Sequence, residues 1–262
     1  MPDPIACTPK YLPLDHWVAA AATATKINPA NHPQVEMLAR VLPSYTPTAE
    51  HIAAMTTKYW QSGSVSLTVS FLDISDETLR AKILAHMNAW NQSSNVTFTE
   101  VDSGGQVRIA TTAGSGHWSY VGTDIYSIAA DQPTMNLDSF TLDTPDSEYM
   151  RVVRHEAGHT MGFVHEHVRQ ELVNLIDPQK AYDYFLQTQG WDKTMVDQQV
   201  LTPIEESSLT GTEPADENSI MCYQLPGTIT KDGNPILGGL DIDQTDYAFA
   251  AKLYPPATAS GS

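Results

Sequence analysis

Polar and apolar residues alternate from Ser64 to Phe71, the two-residue period of a strand with one face buried. The period then changes. Leu79, Ile83, Met87 and Trp90 recur three to four residues apart, which predicts a helix over 76–91 with Asp76 and Glu77 near its positive end. Val96–Val101 and Val107–Ala110 read as further strands, and Met135–Leu137 as a shorter one. Helical patterns occupy 145–162, 178–189 and 243–253. The first fifty residues differ, with helical stretches near 14–26 and 33–41 interrupted by prolines. Pro43 to Pro47 reads as a linker, because each proline removes a backbone donor and biases its predecessor away from helix. The intervals 113–134 and 202–240 read as turn and loop, and loops of that length in a compact domain usually serve a site or a binding surface.

At 262 residues, with 41% hydrophobic and 8% aromatic content, 15 Gly and 17 Pro, the chain is globular rather than fibrous or disordered. No run approaches the roughly 18 apolar residues of a membrane-spanning helix. Thirty-one acidic residues against 14 basic ones give a net charge of −17. Such a surface repels phosphate backbones, so nucleic acid is not expected as a partner and an anionic membrane is a poor one. Two cysteines, Cys7 and Cys222, allow at most one disulfide. The start Met1-Pro2-Asp3-Pro4 carries no secretory signal pattern.

The chemistry concentrates in Arg154-His155-Glu156-Ala157-Gly158-His159-Thr160-Met161-Gly162-Phe163-Val164-His165. On a helix His155 and His159 stand one turn apart on one face, where two imidazole nitrogens can share a metal ion. Glu156 is rotated about 100° from His155, beside the ligands without being one. Gly162 can take the left-handed conformation that reverses the chain and carries His165 back as third ligand. Three neutral imidazoles leave one zinc position open, the arrangement of a catalytic site rather than a structural one. A carboxylate next to that position can take the proton of an attacking water, so the expected chemistry is amide hydrolysis. His16, His32, His51 and His86 read as surface or capping residues, and His167 as a supporting or surface residue.

Ser219-Ile220-Met221-Cys222-Tyr223, about sixty residues on, resembles the Met-turn beneath the metal of metzincin zinc peptidases, with Met221 as its methionine. Within that group the motif from His155 to His165 followed by Glu166 resembles the astacin family, and Gly116-His117-Trp118-Ser119-Tyr120-Val121-Gly122 is similar to the family's loop motif, with His117 where many astacins have cysteine. The resemblance covers roughly 57–256. Arg169 matches the animal pattern after the glutamate, but Glu171 and Leu172 depart from it, and Trp191-Asp192-Lys193 looks more like bacterial and fungal astacin-like enzymes. Serralysins and matrixins are the near alternatives.

The resemblance implies an α+β, zincin-like fold, with a twisted mixed sheet and a metal-binding helix. Two subdomains, 57–165 and 166–256, would flank a cleft, with an N-terminal extension or pro-segment over 1–56 and a tail over 257–262. It also implies a zinc-dependent endopeptidase with Zn2+ held by His155, His159 and His165. Tyr223 would be an additional ligand and a hydrogen-bond donor to the oxyanion, Glu156 the general base, and Glu166 a residue supporting the ligands. A peptide or protein substrate would lie along an edge strand near Thr134–Asp138, adding a strand to the sheet. Export is the expectation for the class, a cytoplasmic location stays open, and oligomeric state is not legible.

Three readings of the cysteines remain open: a Cys7–Cys222 disulfide, a Cys7 thiolate plugging the zinc, or two separate buried thiols. Two alternatives to an active peptidase also remain: a latent form blocked by residues 1–55, and a zinc-stabilised protein that binds peptides without cutting them.

Overall fold

The computed structural model describes residues 7, 10–32, 56–165, 170–201, 218–222, 225–236 and 238–256. The expected helix near 33–41, the Pro43–Pro47 linker, Glu166, His167 and Tyr223 lie outside these residues.

Five strands, β1 (Val65–Phe71), β2 (Val96–Glu100), β3 (Val107–Ala110), β4 (Trp118–Ser119) and β5 (Met135–Asn136), form one sheet in the order β2-β1-β3-β5-β4. All neighbours are parallel except β4, which runs antiparallel to β5. The order corrects the sequence expectation for the edge. Thr134 donates to Arg108 O and accepts from Tyr120 N, so β5 is bonded on both sides and β4 forms that edge of the sheet. Two-residue strands carry no periodicity, and β4, earlier in the chain, docks outside β5. The loop between them is held by buried Arg108, whose guanidinium donates to the carbonyls of Gly105, Gln106, Ile128, Ala129 and Gln132.

Helix α1 (Trp17–Ile27) lies in the N-terminal segment and α2 (Glu77–Met87) on the sheet. Asp76 caps α2 by accepting from Thr78 N and Leu79 N, and Leu79, Ile83, Met87 and Trp90 are buried as their spacing requires. The metal-motif helix is less regular than expected. One α-turn, Asp146–Glu148, leads into a π-helical segment, Tyr149–Val153, before α3 (Arg154–Thr160). Thr144 does not cap it, since its hydroxyl accepts from Thr141 N in the preceding turn, a local bond that competes with capping. Helix α4 (Pro178–Gln189) and the closing helix α5 (Gln244–Leu253) follow.

One core joins the sheet, α2, α3 and α5 through Trp90, Phe98, Ile109, Tyr149, Met161, Met221 and Tyr254. A second gathers around Phe185, Val196, Cys222 and Ile236. The α+β class follows.

Candidate metal centre

Helix α3 is fixed at its end by a complete set of partners for its terminal carbonyls, which no intrahelical donor can satisfy. Gly162, at φ +103°, closes a Schellman turn: its N–H donates to His159 O and that of Phe163 to Gly158 O. The Trp60 indole donates to Thr160 O at 2.8 Å, and the Tyr254 hydroxyl to Met161 O at 2.5 Å. At the other end the Trp90 indole donates to Arg154 O at 2.8 Å. Gly158 is required for packing as well. A Cβ there would stand 2.5 Å from Met221 Sδ and 3.2 Å from the Trp90 ring, so the turn bearing Met221 can lie directly against the helix.

The two helix histidines are each held by the ring nitrogen facing away from the site. His155 Nδ1 donates to Ile220 O at 2.6 Å and His159 Nδ1 to Phe163 O at 2.7 Å. A carbonyl only accepts, so Nδ1 carries the proton and Nε2 keeps its lone pair. Both Nε2 atoms meet His165 Nε2, at 3.1 Å and 2.9 Å. Zinc–nitrogen bonds of ~2.0–2.1 Å in a tetrahedron imply nitrogen spacings of about 3.3 Å, so this donor set fits a zinc ion. Burial holds the His159 imidazole down to about 4, in its neutral, metal-binding form.

Glu156 is 1% exposed, and neither carboxylate oxygen has a hydrogen-bond partner among the described residues. Burial pushes this carboxyl up to about 8, opposed first by the Cys7 thiol beside it and then by the nearby Arg151 charge. A buried carboxylate with two unused acceptors beside converging imidazoles suits a group that receives protons.

The fourth member of the cluster comes from the far N-terminus. Cys7 Sγ lies 3.6 Å from His159 Nε2, and the ligand atoms of Cys7, His155, His159 and His165 all lie within 4.8 Å of one another. Burial and then the neighbouring Glu156 carboxylate raise the Cys7 thiol well above its usual value. The backbone of Cys7 forms a parallel bridge with His117, immediately before β4. His117 is itself buried, accepts at Nδ1 from Asp138 N at 3.0 Å, and is held down to about 4 by burial. Cys7 and Cys222 form no disulfide with each other, which removes the first of the three cysteine readings.

The turn at Ser219–Cys222 hangs from α5. Buried Asp246 accepts from the Ser219 hydroxyl at 2.6 Å and from Ile220 N at 2.9 Å, and Ser219 Oγ in turn accepts from Met221 N. The residue therefore positions Ile220 O, the partner of His155. Asp246, Trp60, Trp90 and Tyr254 were not legible as site-supporting residues. The Asp243-x-x-Asp246 capping box was the one available signal, and it speaks of a helix start rather than a site. His86 stacks on Tyr149 and accepts from Arg154 at 3.4 Å, away from the cluster.

Fold and donor set together define the class, a zinc metallopeptidase of the metzincin type. The model of the Astacin peptidase family matches residues 53–234, and the chain belongs to that family. Myroilysin, in a solved structure, is 32% identical with a TM-score of 0.69 over 76% of this chain and 96% of that one. High choriolytic enzyme 1, a hatching enzyme zinc-protease from the medaka fish Oryzias latipes, shares the fold at 17% identity and a TM-score of 0.51, over 75% of this chain and 94% of that one. The zinc metalloproteinase nas-27 of Caenorhabditis elegans is 33% identical over 90 residues, which are 34% of this chain and 19% of that protein. Membership brings zinc as cofactor and peptides as substrates. No helix among the described residues is long and apolar enough to cross a membrane.

Proposed function

We propose that this chain is a zinc-dependent endopeptidase held latent by its own N-terminal segment, with Glu156 as general base. The observation that carries the reading is the meeting of three Nε2 atoms beside a buried carboxylate, with a thiol closing the same cluster. His155, His159 and His165 would hold zinc, which when bound supplies a Lewis acid for the scissile carbonyl and acidifies an attacking water. Glu156 takes the proton of that water and passes it to the leaving amine. Its seclusion from solvent beside the imidazoles suits both transfers. Tyr223, by family resemblance, donates to the oxyanion, and Glu166 backs the ligands.

Substrate adds to the sheet at the β4 edge, using backbone donors and acceptors. Supporting latency, the bridge from Cys7 to His117 uses that same edge, and Lys10 lies over the Trp118 ring at 4.7 Å. The N-terminal segment thus competes with substrate both for the strand edge and for the fourth ligand position. A thiolate is a strong zinc ligand, and binding the cation would overcome the raised proton affinity of Cys7.

The test compares the full chain with its Cys7→Ser variant on a general protein substrate, with and without a chelator. The reading expects weak turnover by the full chain, at least about tenfold more by the variant, and none by either once zinc is removed. Equal turnover by the two would refute latency. Zinc-loaded variant that binds substrate without cleaving it would refute the peptidase reading.

A further inference from the structure

The N-terminal segment touches the body at a second place, through residues that are not part of the metal cluster. Asn31 is fully buried, and its side-chain amide behaves as a missing strand. Its Oδ1 accepts from Tyr59 N at 3.0 Å and its Nδ2 donates to Tyr59 O at 2.8 Å, the paired bonds an adjacent strand residue would make. The remaining capacity is used as well, by Ala24 O at 3.0 Å and the Thr57 hydroxyl at 2.8 Å. Three residues earlier, Asn28 Nδ2 donates to Trp60 O at 2.6 Å while its Oδ1 caps the turn at Ala30 N. The backbone of this turn is tied to the end of α1, with Asn28 N donating to Ala24 O and Asn31 N to Asn28 O. Helix α1 buries Ala20, Ala21 and Ala24, side chains small enough to let it lie close to the 122–127 turn.

The body's side of this contact is built into the site's support. Lys58 O accepts from Thr123 N, Trp60 N donates to the Tyr254 hydroxyl, and the Trp60 indole holds Thr160 O at the end of the ligand helix. A Cβ on Gly162, the residue that turns the chain toward His165, would meet Tyr59 at 2.9 Å. The Tyr59–Trp60 backbone therefore lies between the ligand helix and the N-terminal segment, and the segment completes its hydrogen bonding.

We propose that Asn28, Asn31 and α1 form a metal-independent anchor, so that a cut between residues 33 and 55 leaves the N-terminal piece bound as a non-covalent inhibitory fragment. Inhibition by the fragment rests on the latent reading above; its retention does not. Activation is then a two-step process, in which the cut is followed by destruction or displacement of the fragment. Leaving instead would exchange the protein bonds of the Tyr59 N–H, the Tyr59 C=O and the Trp60 C=O for bonds to water and re-expose the buried face of α1.

The experiment uses the full-length zinc-loaded chain with a specific protease sequence inserted between Ser44 and Tyr45. After cutting, gel filtration and native mass spectrometry measure fragment retention, with and without a chelator. The fragment is expected to stay with the body in both conditions, and to stay equally in a Cys7→Ser background. Asn31→Ala should weaken retention on the order of 100-fold, and the milder Asn28→Ala about tenfold. Thermal unfolding of the uncut variants reports whether the body is intact, and Asn28→Ala carries the test should Asn31→Ala fail to fold. Shedding of the fragment by the cut parent chain, release by chelator or by Cys7→Ser alone, or retention indifferent to both asparagine substitutions would each overturn the proposal. The readout is retention rather than hydrolysis, so its failure is distinct from failure of the peptidase reading.

Discussion

The histidines and Cys7 reach the same point by opposite means. His155 and His159 stand on a helix whose terminal carbonyls are capped by Trp60 and Tyr254, and a carbonyl fixes each ring from behind. Bonds within the protein orient both rings, so little further freedom is lost on binding an ion. Cys7 arrives from 152 residues away along the chain from His159, held locally by one backbone bridge and by its approach to that ring. Ligands built into the body make a permanent site; a ligand on a tethered arm makes one that can be exchanged. The proposed latency would require this difference, with three donors from the body and a fourth that can yield its position to substrate.

The sharpest way to break this comparison is to remove the group the fixed side presents to the reaction. Glu156→Gln should lower kcat by about 10²- to 10⁴-fold while zinc content, measured by atomic absorption, stays at the parent level. An active variant would take the general-base role away from Glu156; loss of zinc would mean that the residue serves the site's integrity instead.

A smaller effect tests how the fixed side is supported. Burial pushes the Asp246 carboxyl up to about 6, from an ordinary value of 3.8, despite the bonds it accepts from Ser219 and Ile220. The folded state therefore prefers the neutral acid. Its favourable contribution is complete below about pH 4 and is lost as pH rises through about 6, amounting to at most about 3 kcal/mol. Asp246→Asn does not titrate, so denaturant midpoints of variant and parent should diverge in the variant's favour between pH 4 and 7. A difference independent of pH would contradict this account of Asp246.

The smallest perturbation is steric. Gly158→Ala places a methyl group against Met221 Sδ and the Trp90 ring, and overpacking of this kind costs about 1–3 kcal/mol. The expected result is a lower melting temperature with zinc still bound. An unchanged melting temperature would show that Met221 can move aside freely.

How much of this was legible follows from how local each signal is. The three histidines and Glu156 were readable because one helix and one glycine turn bring them together within eleven residues, and Met221 because a family pattern marks it. Helices α2, α4 and α5 announced themselves by their helical pattern, α2 also by the acidic residues near its start. The edge strand was misplaced because β4 and β5 are two residues each, too short for a period, and their order is set by pairing rather than by sequence. The π-helical segment before α3 left no trace that a helical periodicity could register. Trp60, Trp90 and Asp246 act across 100, 64 and 26 residues respectively, and a buried indole or carboxylate looks the same in sequence whether it supports a site or fills a core. Cys7 could be read three ways, since a lone thiol names no partner until the fold supplies one.

The central claim is that zinc sits among three imidazoles from the body and one sulfur from the N-terminal arm. X-ray absorption at the zinc edge of the purified full-length chain and of Cys7→Ser tests it most directly. The account predicts one tightly held zinc with a sulfur neighbour at ~2.3 Å and nitrogen neighbours at ~2.0–2.1 Å in the parent chain, and the same nitrogens without the sulfur in the variant. A chain that holds no zinc, or a sulfur signal unchanged by Cys7→Ser, would contradict it.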